Sequence, residues 1–188
     1  MCPYQNFTSS SKSIKTLTLA DVQRTTAVDL DELVGDFKLF ADTSSLMHPH
    51  AEAFFGGSLK EALLRKSAKL IVPLEVIKEL EKHVASDDSG KKLATAAGLD
   101  IIKDYTASGV IDVRSDEQDP HFADNTFLYV FTRFRTRYHL ALITQDGALA
   151  RDIQHLASGG RKIPQENLRV QSVAGRPTAT AATHPAAF

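Results

Sequence analysis

The chain has 188 residues, 43% hydrophobic and 24% charged, enough for one domain with a core of its own. Its 22 Lys+Arg against 23 Asp+Glu leave a formal net charge of -1, which excludes a globally basic nucleic-acid binder while leaving room for a local basic patch. The single cysteine, Cys2, excludes an internal disulfide and predicts a reducing, cytoplasmic setting. Residues 1–20 are rich in Ser, Thr and Lys and lack the apolar stretch of a secretory signal. No apolar run approaches the length of about eighteen residues needed to cross a membrane.

In chain order, residues 1–28 are polar without a clear period and read as a mobile arm, in which Leu17–Val22 could still pack locally. A short acidic helix follows over Asp29–Val34, closed by Gly35. Phe37-Lys38-Leu39-Phe40-Ala41 reads as a strand ending in the polar cap Asp42-Thr43-Ser44-Ser45. Ala51–Ser67 predicts a helix weakened by Gly56-Gly57. Lys69–Val72 predicts a second strand, and Pro73 suits the first turn of a helix running to Val84. After the loop 84–92 come a helix from Leu93 to Thr106 and a third strand, Gly109–Val113. A long helix over His121–Tyr138 carries Phe127, Leu128, Phe131 and Phe134 at helical spacing. Leu140–Ile143 is a fourth strand, ended by Thr144-Gln145-Asp146-Gly147, with a helix to Leu156 and a last strand, Leu168–Val173. The Ala/Thr/Pro-rich residues 174–188 predict a disordered tail. The domain therefore spans 29–173. Alternation of this kind predicts an α/β fold with a mostly parallel sheet buried on both faces.

Chemistry in such sheets gathers beyond the carboxyl ends of the strands. Asp42 follows the first strand and Asp146 the fourth, Glu79 lies in the second turn after the second strand, and Asp124 opens the helix leading to the fourth. Each has an ordinary explanation. Asp42 can cap a turn, Asp124 can complement a helix dipole, Asp146-Gly147 is a turn pair, and Glu79 can face Lys82 or His83 from a solvated helix. Four acids at one sheet edge are harder to explain singly, because packed carboxylates repel unless a cation neutralises them. An oxygen-only set suits Mg2+ or Mn2+, and with it metal-assisted attack of water on a phosphodiester.

The segments Leu39–Leu46, Ile71–Glu81, Phe122–Thr126 and Leu142–Asp146 resemble, in order and strand context, the successive motifs of PIN-domain nucleases. The resemblance covers about residues 36–156. It implies a three-layer α/β/α sandwich and a Mg2+- or Mn2+-dependent nuclease acting on single-stranded RNA, with DNA as a second substrate class and homodimers common. Carried over by residue, Asp42, Glu79, Asp124 and Asp146 match the acidic, catalytic metal-binding positions. Ser44 matches the small polar residue that orients the first acid and Thr144 the hydroxyl before the last, with Asn125 a weaker neighbour of Asp124. Longer segments around Gly56-Gly57 and Asp87–Lys92, and both tails, depart from the short toxin type, so an antitoxin partner is not favoured.

For phosphate binding the sequence offers Arg133, Arg137 and Arg151, with 133 and 137 expected on one helix face. A zinc site is disfavoured, because His48 and His50 have neither a nearby cysteine nor a helical partner. The rival reading is a non-catalytic module of the same fold that binds RNA or protein. A dinucleotide-binding fold lacks its glycine-rich turn, and a serine hydrolase lacks its nucleophile elbow.

Overall fold

The three apolar runs that the sequence marks most clearly become the middle of one parallel sheet. The computed structural model describes residues 12–24, 27–115 and 123–158, apart from the side chains of 22, 23, 27, 28 and 123–125. Its elements are β1 (Ile14–Leu17), α1 (Leu19–Gln23), α2 (Ala27–Asp36), β2 (Phe37–Ala41), α3 (Thr43–Leu46), α4 (Ala51–Phe54), α5 (Lys60–Lys66), β3 (Leu70–Pro73), α6 (Leu74–Val84), α7 (Ser89–Ala107), β4 (Ile111–Arg114), α8 (Ala123–Phe134), β5 (His139–Ile143) and α9 (Gly147–Ala157). The strand order is β1-β5-β2-β3-β4, and every pairing is parallel. This is the α/β fold expected, with helices on both faces of the sheet in a three-layer sandwich.

The layers follow from the connections. Crossovers from β2 to β3 and from β3 to β4 run in one direction, and right-handedness lays their helices on one face. The return from β4 to β5 runs the other way and carries α8 to the opposite face. Phe40 of β2 meets that helix, its ring 6.5 Å from Phe127 and 5.2 Å from Phe131. Phe127 and Phe131 stand one helical turn apart and are fully buried, so truncating either to Ala would cost about 3–5 kcal/mol. β5 is the most buried strand, Leu140 to Ile143 being buried without a break, which explains why its sequence shows no polar alternation.

Three sequence expectations change. The segment read as a mobile arm supplies the sheet's edge: Ile14–Leu17 pairs with Leu140–Ile143, and Ser13 Oγ and N–H both meet His139 Nδ1, at 2.9 and 3.1 Å. The helix predicted over 51–67 is broken by a π turn at Phe55–Leu59, where Gly57 leaves helical geometry (φ -101°, ψ -118°). The helix predicted from Leu93 begins at Ser89, because Asp88 caps it by accepting from Gly90 N and Lys91 N at 2.9 and 3.2 Å. The expected strand Leu168–Val173 and the tail from 174 lie outside the described residues. Among the described residues no helix is long and apolar enough to cross a membrane.

Candidate functional site

β2 and β5 are neighbours whose chains leave in opposite directions, β2 toward β3 and β5 toward α9, which packs back over β1. A crevice opens beyond the carboxyl ends of two such strands. The sheet ladder runs right up to it. Asp42 N donates to Ile143 O at 3.3 Å and Thr144 N to Leu17 O at 2.9 Å, so the first residues past both strands are fixed by backbone bonds.

Asp42 is the centre of the arrangement. It is only 5% exposed, and it caps α3 by accepting the Ser45 N–H on Oδ1 at 2.9 Å. Its Oδ2 accepts the hydroxyls of Thr144 at 2.6 Å and Ser44 at 2.8 Å. Those hydroxyls are themselves held, since Thr144 Oγ1 accepts from Asp146 N at 3.0 Å and Ser44 Oγ from Gln145 N at 2.9 Å. One closed set of bonds thus ties the loop after β5 to the acid after β2. Burial pushes the Asp42 carboxyl above the ordinary aspartate range, and the hydroxyls of Thr144 and Ser44 with the Ser45 N–H pull it partly back.

Asp146 repeats the design at the neighbouring strand. Its Oδ1 caps α9, accepting from Ala148 N at 2.7 Å and Leu149 N at 3.2 Å, and among the described residues its Oδ2 takes no hydrogen bond. Both aspartates therefore serve as helix caps and stand at the crevice, so the structural and the chemical explanations of these residues coexist. Glu79 approaches from α6: its Oε2 accepts from Thr43 Oγ1 at 2.6 Å, next to Asp42. Its other oxygen lies 3.8 Å from His83 Nε2, and the side chain is 42% exposed. Asp124 and Asn125 lie in the first turn of α8, but their side chains fall outside the described residues. Among the described residues no three carboxylate, imidazole or thiol groups come together as a ready metal shell.

The basic candidates separate. α8 ends at Phe134 and residues 135–137 form a turn, so Arg133 and Arg137 do not share a helix face. Both sit beside the start of β5, at the edge of the sheet opposite Asp42. Arg133 is engaged there by aromatics, donating to Tyr129 Oη at 2.8 Å with its guanidinium 5.8 and 5.4 Å from the Tyr129 and Phe134 rings. Arg151 lies on α9, exposed, just past the Asp146 cap, and is the candidate that remains beside the crevice. Sequence reading missed Glu75, in the first turn of α6 yet only 7% exposed, and the Thr43–Glu79 bond. The only signal for the former in the sequence is its apolar setting, between Leu74, Val76 and Ile77.

Compared with known proteins, the chain matches no family model and no curated protein.

Proposed function

We propose that this chain is a divalent-metal-dependent nuclease of the PIN type, hydrolysing phosphodiester bonds in single-stranded RNA. The observation that supports the reading most is Asp42: a carboxylate buried at the switch point of a parallel sheet, with hydroxyl donors fixing its orientation. Burying such a group is unfavourable unless it is paired, and the acids held beside it, Glu79 through Thr43 and Asp146 through Thr144, offer carboxylate oxygens, the donors that hard cations prefer. The donor set fits Mg2+ or Mn2+, which keep several waters and so need few direct protein ligands. Asp42, Asp146, Glu79 and, by its place in the first turn of α8, Asp124 are the residues that would hold the ion. The ion supplies an activated water and offsets charge developing on the phosphate. The protein's own part is to fix the carboxylates: Thr144 and Ser44 orient Asp42, the α9 amides orient Asp146, and Thr43 orients Glu79. Glu79, whose side chain is half-exposed, is suited to take a proton from the attacking water. Arg151, exposed on α9, is the basic side chain that would meet the phosphate backbone.

The test is cleavage of labelled single-stranded RNA and DNA with Mg2+, Mn2+ or EDTA, with Asp42→Asn and Asp146→Asn alongside. Metal-dependent cleavage abolished in both variants supports the reading and identifies the polymer. No cleavage, together with no calorimetric Mn2+ binding by the wild type, sinks it in favour of a non-catalytic module.

A further inference from the structure

Among the described residues only two buried side-chain polar atoms lack a hydrogen-bond partner, Glu75 Oε2 and Gln145 Nε2. Their placement is not scattered. Glu75 follows the end of β3 and Gln145 the end of β5, and these are the two strands that flank β2, which delivers Asp42. Glu75 presents the greater physical problem. A carboxylate that is 93% buried by its 7% exposure and has an oxygen without a donor is costly, and native proteins rarely keep one without a use. The described residues offer it no ion pair either.

Its direction follows from the helix. Glu75 and Glu79 stand at i and i+4 on α6 and therefore share a face. That face meets α3, where Glu79 takes the Thr43 hydroxyl beside Asp42. Glu75 lies one turn nearer the carboxyl end of β3, and β3 is hydrogen-bonded to β2. Glu75 thus stands on the face of α6 that carries Glu79, one turn nearer the end of β3, with its orphaned oxygen buried there.

We infer that Glu75 is a fifth acidic member of this site, a positioning residue whose Oε2 accepts from a water bound to the divalent cation. The inference rests on the proposed metal-dependent reading. Action through water agrees with the habit of Mg2+ of retaining its waters. Outer carboxylates of this kind hold bound water in place, and their loss typically weakens metal binding by 10-fold or more.

The experiment is titration of Mn2+ into metal-free protein by calorimetry, paired with thermal melts in EDTA and in Mn2+. Wild type, Glu75→Gln, Glu75→Leu and Asp42→Asn are compared. We expect Asp42→Asn to lose Mn2+ binding and both Glu75 variants to bind about tenfold more weakly. In EDTA, Glu75→Leu should melt no lower than wild type, because it replaces an unpartnered buried carboxylate by an apolar group of similar size. Mn2+ should raise the wild-type melting temperature more than that of either Glu75 variant. Wild-type Mn2+ affinity in Glu75→Gln and Glu75→Leu, with Asp42→Asn defective, overturns the inference and leaves the metal site standing. A sharp fall of the metal-free melting temperature in Glu75→Leu overturns it as well, assigning Glu75 a structural role. No Mn2+ binding by the wild type overturns both readings together.

Discussion

Thr144 donates its hydroxyl to Asp42 Oδ2 at 2.6 Å across 102 residues of sequence, and Thr144 Oγ1 in turn accepts the N–H of Asp146. One side chain thus orients a buried acid and shapes the loop that presents a second. Thr144→Val removes the hydroxyl while keeping the shape, leaving Asp42 with one donor fewer in a buried place. The expected loss is about 1–3 kcal/mol in urea unfolding, and Thr144→Ser should restore most of it. The hydroxyl also holds the Asp42 carboxyl down against the upward push of burial. Its removal should therefore shift the acid limb of any cleavage profile to higher pH, and an unmoved limb would show that Asp42 does not titrate in that profile.

Asp42 makes the metal-free protein sensitive to pH in a defined direction. Its unfolded-state value lies near 3.8 and its folded value above that, so between the two the folded state binds more protons than the unfolded chain. Stability contributed by this residue must then fall as pH rises from about 4 and level off once the folded group has ionised. Measured in EDTA across that range, the stability of wild type relative to Asp42→Asn should decline with pH and then become constant. Parallel curves would contradict the burial argument. Saturating Mn2+ should reverse the decline, because a bound cation favours the ionised form.

The kink between α4 and α5 has a distant support. Tyr105 of α7 is fully buried and donates its hydroxyl to Phe55 O in the π turn at 2.6 Å. Burial raises the phenol far above its ordinary range, with the Asp104 carboxylate adding to the effect, so the group remains a proton donor at all physiological pH. Tyr105→Phe leaves that carbonyl short of a partner and should cost about 1–3 kcal/mol with an unchanged denaturant slope. A loss below about 0.5 kcal/mol would mean that the turn reorganises to satisfy itself.

How much of this was legible in the sequence depends on how local each determinant is. β2, β3 and β5 announce themselves by short, mostly apolar runs, and Asp42 and Asp146 by cap spacing, so the layer order and two of the acids follow from short windows. β1 does not, because an edge strand needs only one good neighbour and Ile14-Lys15-Thr16-Leu17 is only partly buried. Its place is decided by β5, which lies more than 120 residues away. The Gly56-Gly57 weakness was visible, yet its resolution into a π turn depends on Tyr105, 50 residues on. Glu75 was passed over for a similar reason: whether an acid in a first helical turn is solvated or buried is settled by the elements packed around it. Arg133 and Arg137 were grouped by an extrapolated helix, and the end of α8 at Phe134 separates them.

Gly98 links the scaffold to the site. A β-carbon at this position of α7 would lie 3.1 Å from Leu46 O and 3.4 Å from both Leu46 C and Leu80 Cδ2. Leu46 closes the short helix α3 that Asp42 caps, so the glycine lets α7 approach the backbone that carries the acid. In an exposed helix Gly→Ala would stabilise by about 1 kcal/mol. Here the neighbour in closest approach is a backbone carbonyl of a fully buried residue, which cannot swing aside, and crowding of this kind typically costs about 1–3 kcal/mol. Gly98→Ala should therefore be net destabilising by about 1 kcal/mol in urea unfolding. It should also displace α3 and, through the Ser45 N–H held by Asp42, weaken Mn2+ binding without touching any acidic side chain. Unchanged Mn2+ affinity together with raised stability would show that α7 can withdraw from α3 freely, and that the position of Asp42 is set by the sheet alone.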